Sequence, residues 1–101
     1  MKESIIRFVE GPFPKKYTAY VIDKAKKTIR SINFGDRRYQ QFRDSTGMGL
    51  YSYMDHGDKM RRKNYFLRHS HSPSRKTSIE KESKNSYGYY TPKLLSHIYL
   101  W

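Results

Sequence analysis

Along the first third of the chain, apolar and polar positions alternate with a period of two, the period of a half-buried strand. Residues 4–9 (SIIRFV) form a short β-prone run. Gly11-Pro12-Phe13-Pro14 stops it, because proline cannot donate to a ladder. Residues 17–23 (YTAYVID) are rich in β-branched and aromatic side chains, with Thr18, Tyr20 and Ile22 on one face. Residues 28–34 (TIRSINF) alternate again, setting Arg30, Ile32 and Phe34 opposite Ile29, Ser31 and Asn33. Lys24-Ala25-Lys26-Lys27 joins these runs without the Asn-Gly or Asp-Gly signal of a tight turn. The pattern predicts a β-hairpin over residues 17–34, joined by the first run into a small antiparallel sheet.

The period then changes. Gly35-Asp36 breaks the alternation, with Asp36 placed to cap a short helix through Arg43, and residues 44–49 read as a loop. Residues 50–54 (LYSYM) suit either a short strand or an extended connector. Asp58 opens the clearest helix, over residues 59–69, with its carboxylate at the positive end of the helix dipole. On a helical wheel Met60, Lys63, Phe66 and Leu67 share one face, while Arg61, Tyr65 and Arg68 share another. The first face is expected to pack on the sheet and the basic face to turn outward.

Residues 70–86 offer little but Ile79 to bury and have the composition of a flexible insertion. Thr91 as N-cap, with Pro92 in the first helical position, starts a short C-terminal helix. Leu94, Leu95, Ile98, Tyr99, Leu100 and Trp101 all need covering, so this segment is expected to be docked. The fold class is α+β: an antiparallel β-hairpin or three-stranded sheet packed with one basic helix and a short C-terminal helix. Residues 1–69 and 87–101 form a single compact domain, interrupted by the insertion at 70–86. No internal repeat is present.

Composition sharpens this picture. The chain has 101 residues, room for one core, and its 21 Lys and Arg against 9 Asp and Glu give a net charge of +12. So large a charge repels itself and calls for a polyanion, which phosphate backbones supply well through counterion release. Hydrophobic residues are 36% of the chain, below the usual ~45–50%, so the core must lean on large rings. Ten Tyr, five Phe and one Trp provide them, and they suit a sticky surface equally well. The absence of cysteine excludes disulfides and thiolate zinc sites. No apolar run approaches the ~20 residues of a membrane span. The charged start, Met1 to Arg7, lacks the apolar stretch of a signal peptide, so cytoplasmic or nuclear residence is expected rather than secretion.

The basic helix is the strongest candidate for function. Lys59, Arg61, Arg62, Lys63 and Arg68 are expected to meet phosphates, with Tyr65 packing on a sugar or base. A solvated face of an ordinary helix is the alternative. The hairpin adds Lys24, Lys26, Lys27 and Arg30, with Lys15 and Lys16 before it; lysines there also guard edge strands from aggregation. Arg37 and Arg38, with Arg43, flank Tyr39 and Phe42, a mixture that permits stacking on unpaired bases. Because apolar residues are few, Tyr39 and Phe42 are assigned to the core rather than to a platform.

Other chemistry has less support. His69-Ser70-His71, with Asp55-His56, has a spacing two ligands can share, but the expectation is no metal and no cofactor. Close carboxylates are scarce, Asp55 and Asp58 serve better to start the helix, and Gly47-Met48-Gly49 lacks the continuation of a phosphate loop. The chain is therefore expected not to be an enzyme. Residues 72–78 (SPSRKTS) are a plausible phosphorylation target, and each phosphate there would subtract about two charges.

The order of the motifs resembles a family. A lysine-rich hairpin ends in Ile32-Asn33-Phe34-Gly35-Asp36-Arg37-Arg38-Tyr39. Residues 50–65 (LYSYMDHGDKMRRKNY) then lead to Arg68-His69, and residues 96–101 (SHIYLW) close the chain. This arrangement looks like a group of short basic proteins of unassigned function encoded by large nucleocytoplasmic DNA viruses. The likeness covers residues 15–69 and 91–101 and departs from the group at Gly57 and in the Ser-rich insertion. It implies a viral origin and residence in the virion or in the cytoplasm or nucleus of an infected cell. Two partners fit. The first is nucleic acid, DNA favoured over RNA, bound non-specifically. The alternative is the acidic surface of larger shell subunits, with the chain as a minor, cement-type capsid protein.

Overall fold

The alternating runs fold into a three-stranded antiparallel sheet, β1 (Glu3–Glu10), β2 (Tyr17–Asp23) and β3 (Ile29–Phe34), in a computed structural model that describes residues 1–101. Its order is β1-β2-β3, so β2 has a neighbour on each side. On its inward face Tyr17, Ala19 and Val21 are fully buried. The register sets Tyr17 opposite Phe34, and Ala19 opposite both Ile32 and Phe8. β1 shifts register between Ile5 and Arg7. The extra residue, Ile6, is largely exposed, and its insertion lets Ile5 and Phe8 pack on one core despite being three apart. At the hairpin tip, Asp23 Oδ1 accepts from the Ala25 and Lys26 amides at 2.9 and 2.8 Å. This side-chain cap replaces the missing Asn-Gly signal.

Three helices follow, α1 (Lys59–Ser70), α2 (Arg75–Asn85) and α3 (Pro92–Tyr99). Asp58 caps α1 as expected, accepting from the Met60 and Arg61 amides, and Thr91 caps α3 through the Leu94 amide with Pro92 at its start. α3 is the element that covers the sheet, packing on β3 and bringing Leu95 and Leu100 to Phe34, Ile32 and Tyr17. The expectation that α1 packs on the sheet is corrected: α1 packs on α2, and α2 on α3. Met60 and Leu67 of the predicted apolar face are 63% and 41% exposed, while Phe66 and Ser70 are buried. Aromatic pairing decides this rotation, for Phe66 meets the His97 ring edge-on at 4.9 Å and Tyr65 stacks on Trp101.

The segment expected to be a flexible insertion is also corrected, since most of it forms α2. Polar contacts replace the missing apolar ones. Ser74 caps the helix through the Thr77 amide, buried Ser78 donates to Ser74 O at 2.7 Å, and Lys81 Nζ donates to Ser70 O at 3.0 Å.

No helix spans Asp36 to Arg43. Asp36 instead accepts from the Arg38 amide and guanidinium, and the peptide groups that follow bond at long range: Gln41 N to Met54 O, Arg43 N to Leu100 O, Ser45 N to Tyr99 O. Residues 50–54, read as strand or connector, end in a single 3-10 turn, Ser52–Met54. A buried polar knot ties this irregular segment to β2. The Lys16 ammonium donates to Gln41 Oε1 and to Tyr39 O, Gln41 Nε2 donates to Tyr51 O and Asp55 Oδ1, and Tyr17 OH donates to Asp44 Oδ2. Tyr17→Phe removes that donor and also the acceptor of the Leu50 amide. The substitution should cost about 1–3 kcal/mol. Urea unfolding should show a lower midpoint with an unchanged slope; an unchanged midpoint would mean the knot does not hold the segment.

Candidate functional site

Helix α1 sends its cations in two directions. Arg61 and Arg68, seven residues apart, share a face with Asn64 and Tyr65 and line a groove of about 660 Å³. Lys59, Arg62 and Lys63 line a separate, smaller cleft. The groove is bounded by α1, by the start of α3 through Pro92, Lys93 and Ser96, and by Lys15 and Lys16 with the turn from Phe34 to Gln40. Buried Phe34 and Leu100 lie beneath it. Gly35, at φ +76°, is required there, since a Cβ would come within 3.0 Å of both Lys16 Cβ and Leu100 Cδ1.

The groove is strongly positive. Lys15, Lys16, Arg61, Arg68 and Lys93 line it with one carboxylate, Asp36, which the Arg38 guanidinium already holds at 2.6 Å, and of the five cations Lys93 is paired with Glu82 at 4.0 Å. That contact pulls Asp36 down to about 2. Lys16 differs from the others, because burial lowers its ammonium to about 8. Arg61 Nη1 donates to Gln40 Oε1 at 2.9 Å and so braces α1 against the opposite wall. Aromatic rings line the groove in two places, of which only Tyr39 offers a free face. The Tyr65 and Trp101 rings stack with centroids 4.2 Å apart and 5° between planes. Tyr39 is 64% exposed, with the Arg38 guanidinium 5.7 Å from its ring centroid.

Several predicted residues lie elsewhere. Lys24, Lys26 and Lys27 sit at the hairpin tip, the far end of a seven-residue strand from the groove and so about 20 Å away. Arg30 is held by both oxygens of buried Glu3, at 2.7 and 2.9 Å, and by Tyr90 O. Arg37 clasps Lys15 O and Gly11 O and pairs with Glu10, and Arg38 is taken by Asp36. Arg30 and Arg37 thus tie the scaffold together, while Arg38 makes only this local pair. The assignment of Tyr39 to the core is corrected, while Phe42 is half-buried beneath the Arg62 guanidinium at 4.1 Å. Lys93 and Trp101 were not legible as site residues, because only the docking of α3 brings them to α1. No group of three or more His, Asp or Glu is arranged to hold a metal ion. In the Ser-rich stretch Ser78 is buried and bonded, so it is unsuited to phosphorylation.

Behind the groove wall a hydrogen-bond chain joins all three helices. Ser70 Oγ donates to Glu82 Oε1 at 3.0 Å and lies 2.7 Å from His97 Nε2, while Tyr65 OH lies 2.8 Å from His97 Nδ1. Since Ser70 donates its one proton to Glu82, His97 Nε2–H donates to Ser70 Oγ, and in the neutral imidazole Tyr65 O–H donates to Nδ1. Burial, reinforced by the positive charges of His69, Lys93 and Arg75, holds His97 down at about 4, and burial pushes the Tyr65 phenol up.

Comparison with protein-family models, with curated proteins and with solved structures finds no match to this chain.

The His97 chain makes the helices acid-sensitive. A histidine that falls from about 6.5 unfolded to about 4 folded stabilises the fold fully above pH 6.5 and loses that contribution as pH falls toward 4. The loss should amount to about 3 kcal/mol. Urea midpoints should fall across that window in the native chain and less steeply in His97→Gln. Equal slopes would remove His97 as the cause.

Proposed function

We propose that the protein binds nucleic acid non-specifically, holding a single-stranded segment in the groove between α1, α3 and the residues after β3. The observation that carries this reading is the groove itself, where five cations and one already paired carboxylate share a cavity with the exposed Tyr39 ring. Arg61, Arg68, Lys15 and Lys93 supply phosphate contact, and Tyr39 supplies a face on which any base can stack. A volume of about 660 Å³ is on the scale of pockets that take one small ligand, ~300–1,000 Å³. It therefore suits a splayed nucleotide and not a duplex. Catalysis and a cofactor form no part of this reading. The viral origin implied by the motif order adds only a location, a packaged protein beside its genome.

A second reading, attachment to an acidic protein surface such as a shell subunit, is favoured by one feature. Phe13 and Tyr53 are 78% and 80% exposed, and Arg37 lies between the rings of Phe13 and Tyr51, at 5.9 and 5.6 Å. Tyr and Arg also dominate protein interfaces.

Binding of labelled single strands and duplexes, of DNA and of RNA, across a salt series separates the two. A steep loss of affinity with salt, strongest for single strands, is expected. Replacing Arg61, Arg68 and Lys93 by Gln should flatten the logarithmic slope by about two, and Tyr39→Ala should weaken single-strand binding by about 1–3 kcal/mol. Weak binding to every strand at low salt would sink the groove reading and leave the protein surface as partner.

A further inference from the structure

Across α1 from the groove, a cleft of about 340 Å³ opens between that helix and the chain entering α2. Lys59, Arg62 and Lys63 reach it from α1 at the spacing of one helical face, and Arg75 reaches it from α2. Buried Phe66 lies within it, and no carboxylate lines it. The ion pairs of the molecule are Glu3 with Arg30, Glu10 with Arg37, Asp36 with Arg38, and Glu82 with Lys93. None includes a cation of the cleft.

These four charges are unneutralised at close quarters. The Arg62 guanidinium rests on the Phe42 ring, and Arg75 Nη2 donates to Ile98 O at 2.9 Å. Both contacts orient a guanidinium and leave its charge uncompensated. Burial, and then the charge of Arg62, hold Arg75 below its usual value, the behaviour of a desolvated cation facing a like charge. A compact anion between them would relieve the repulsion. The cleft offers no exposed aromatic face for a base, and Ser74, the N-cap of α2, lines it beside the four cations. It is matched to a small, doubly charged group with several acceptor oxygens and not to a polymer threading through.

We propose that this cleft is a binding site for a phosphate dianion, as the free anion or as a phosphomonoester. The site lies outside the groove and does not depend on the nucleic-acid reading.

The test is an amide NMR titration of the full chain with inorganic phosphate at constant ionic strength, with chloride as the control. Saturable shifts confined to residues 59–63 and 74–77 are expected. Lys59 and Lys63 have exposed side chains and take part in no ion pair, so Lys59→Gln with Lys63→Gln should not lower the thermal midpoint and should weaken phosphate at least tenfold. Arg68→Gln in the groove should leave phosphate affinity intact, which separates failure here from failure of the groove reading. Shifts reproduced by chloride, or an unchanged affinity in the double variant, would overturn the proposal. A 5′-phosphorylated oligonucleotide that binds more tightly than its 5′-hydroxyl counterpart names the strand end as the source of the phosphate. Equal binding of the two names the free anion.

Discussion

The twenty-odd residues between β3 and α1 contain one 3-10 turn and otherwise depend on side chains for their shape. What holds them is the polar knot at the start of β2. Lys16 and Tyr17 are both almost fully buried and reach out of the sheet to Gln41, Tyr39 and Asp44. Asp55 joins from the far end of the segment, accepting from Gln41 Nε2 at 2.7 Å and from the Asp44 amide at 2.8 Å. Burying the Lys16 ammonium is costly, as its lowered value near 8 records. The two acceptors that meet it offset part of the cost, and the geometry they impose sets Tyr39 and Gln40 on the groove wall. Breaking one contact strands several buried polar groups at once, because the knot shares its partners.

The placement of the acidic residues follows from the same economy of contacts. Glu3 holds Arg30, Asp36 holds Arg38, Asp23 closes the hairpin, Asp58 caps α1, and Asp44 and Asp55 sit in the knot. For Asp44, burial alone would raise the carboxyl, but hydrogen bonds from Tyr17 and Thr46 outweigh it and hold it low. With most carboxylates engaged by the scaffold, few remain to neutralise the surface. The excess cations then gather wherever elements meet, and α1 divides them between the groove and the cleft.

The helical layer shows how a chain with 36% hydrophobic residues closes a structure. Only α3 brings enough Leu to cover the sheet. α1 and α2 attach through rings and hydroxyls: Tyr65 on Trp101, Phe66 on His97, Ser70 between His97 and Glu82. His97 is at the centre of these contacts, and its neutrality is a condition of the packing. This layer carries less apolar burial than the sheet, so its integrity rests more on polar geometry and on pH.

Local signals in the sequence determined the strands, the hairpin, and the caps of α1 and α3, because period-two alternation and Asp or Thr before a helix act over a few residues. They determined the fold class for the same reason. Gly57, the departure from the resembled family, also has a local explanation, taking φ +60° just before the Asp58 cap. Residues 70–86 misled, since composition measures apolar content and α2 is held by Ser, Lys and Glu. Only the tertiary structure decided which cations stand free. Arg30 and Arg37 look like Arg61 and Arg68 in sequence, yet they meet acceptors supplied by distant strands and loops. Lys93, Trp101 and Tyr39 enter the groove through the docking of α3 and the polar knot, contacts between residues too far apart in the chain for any pattern along it to register.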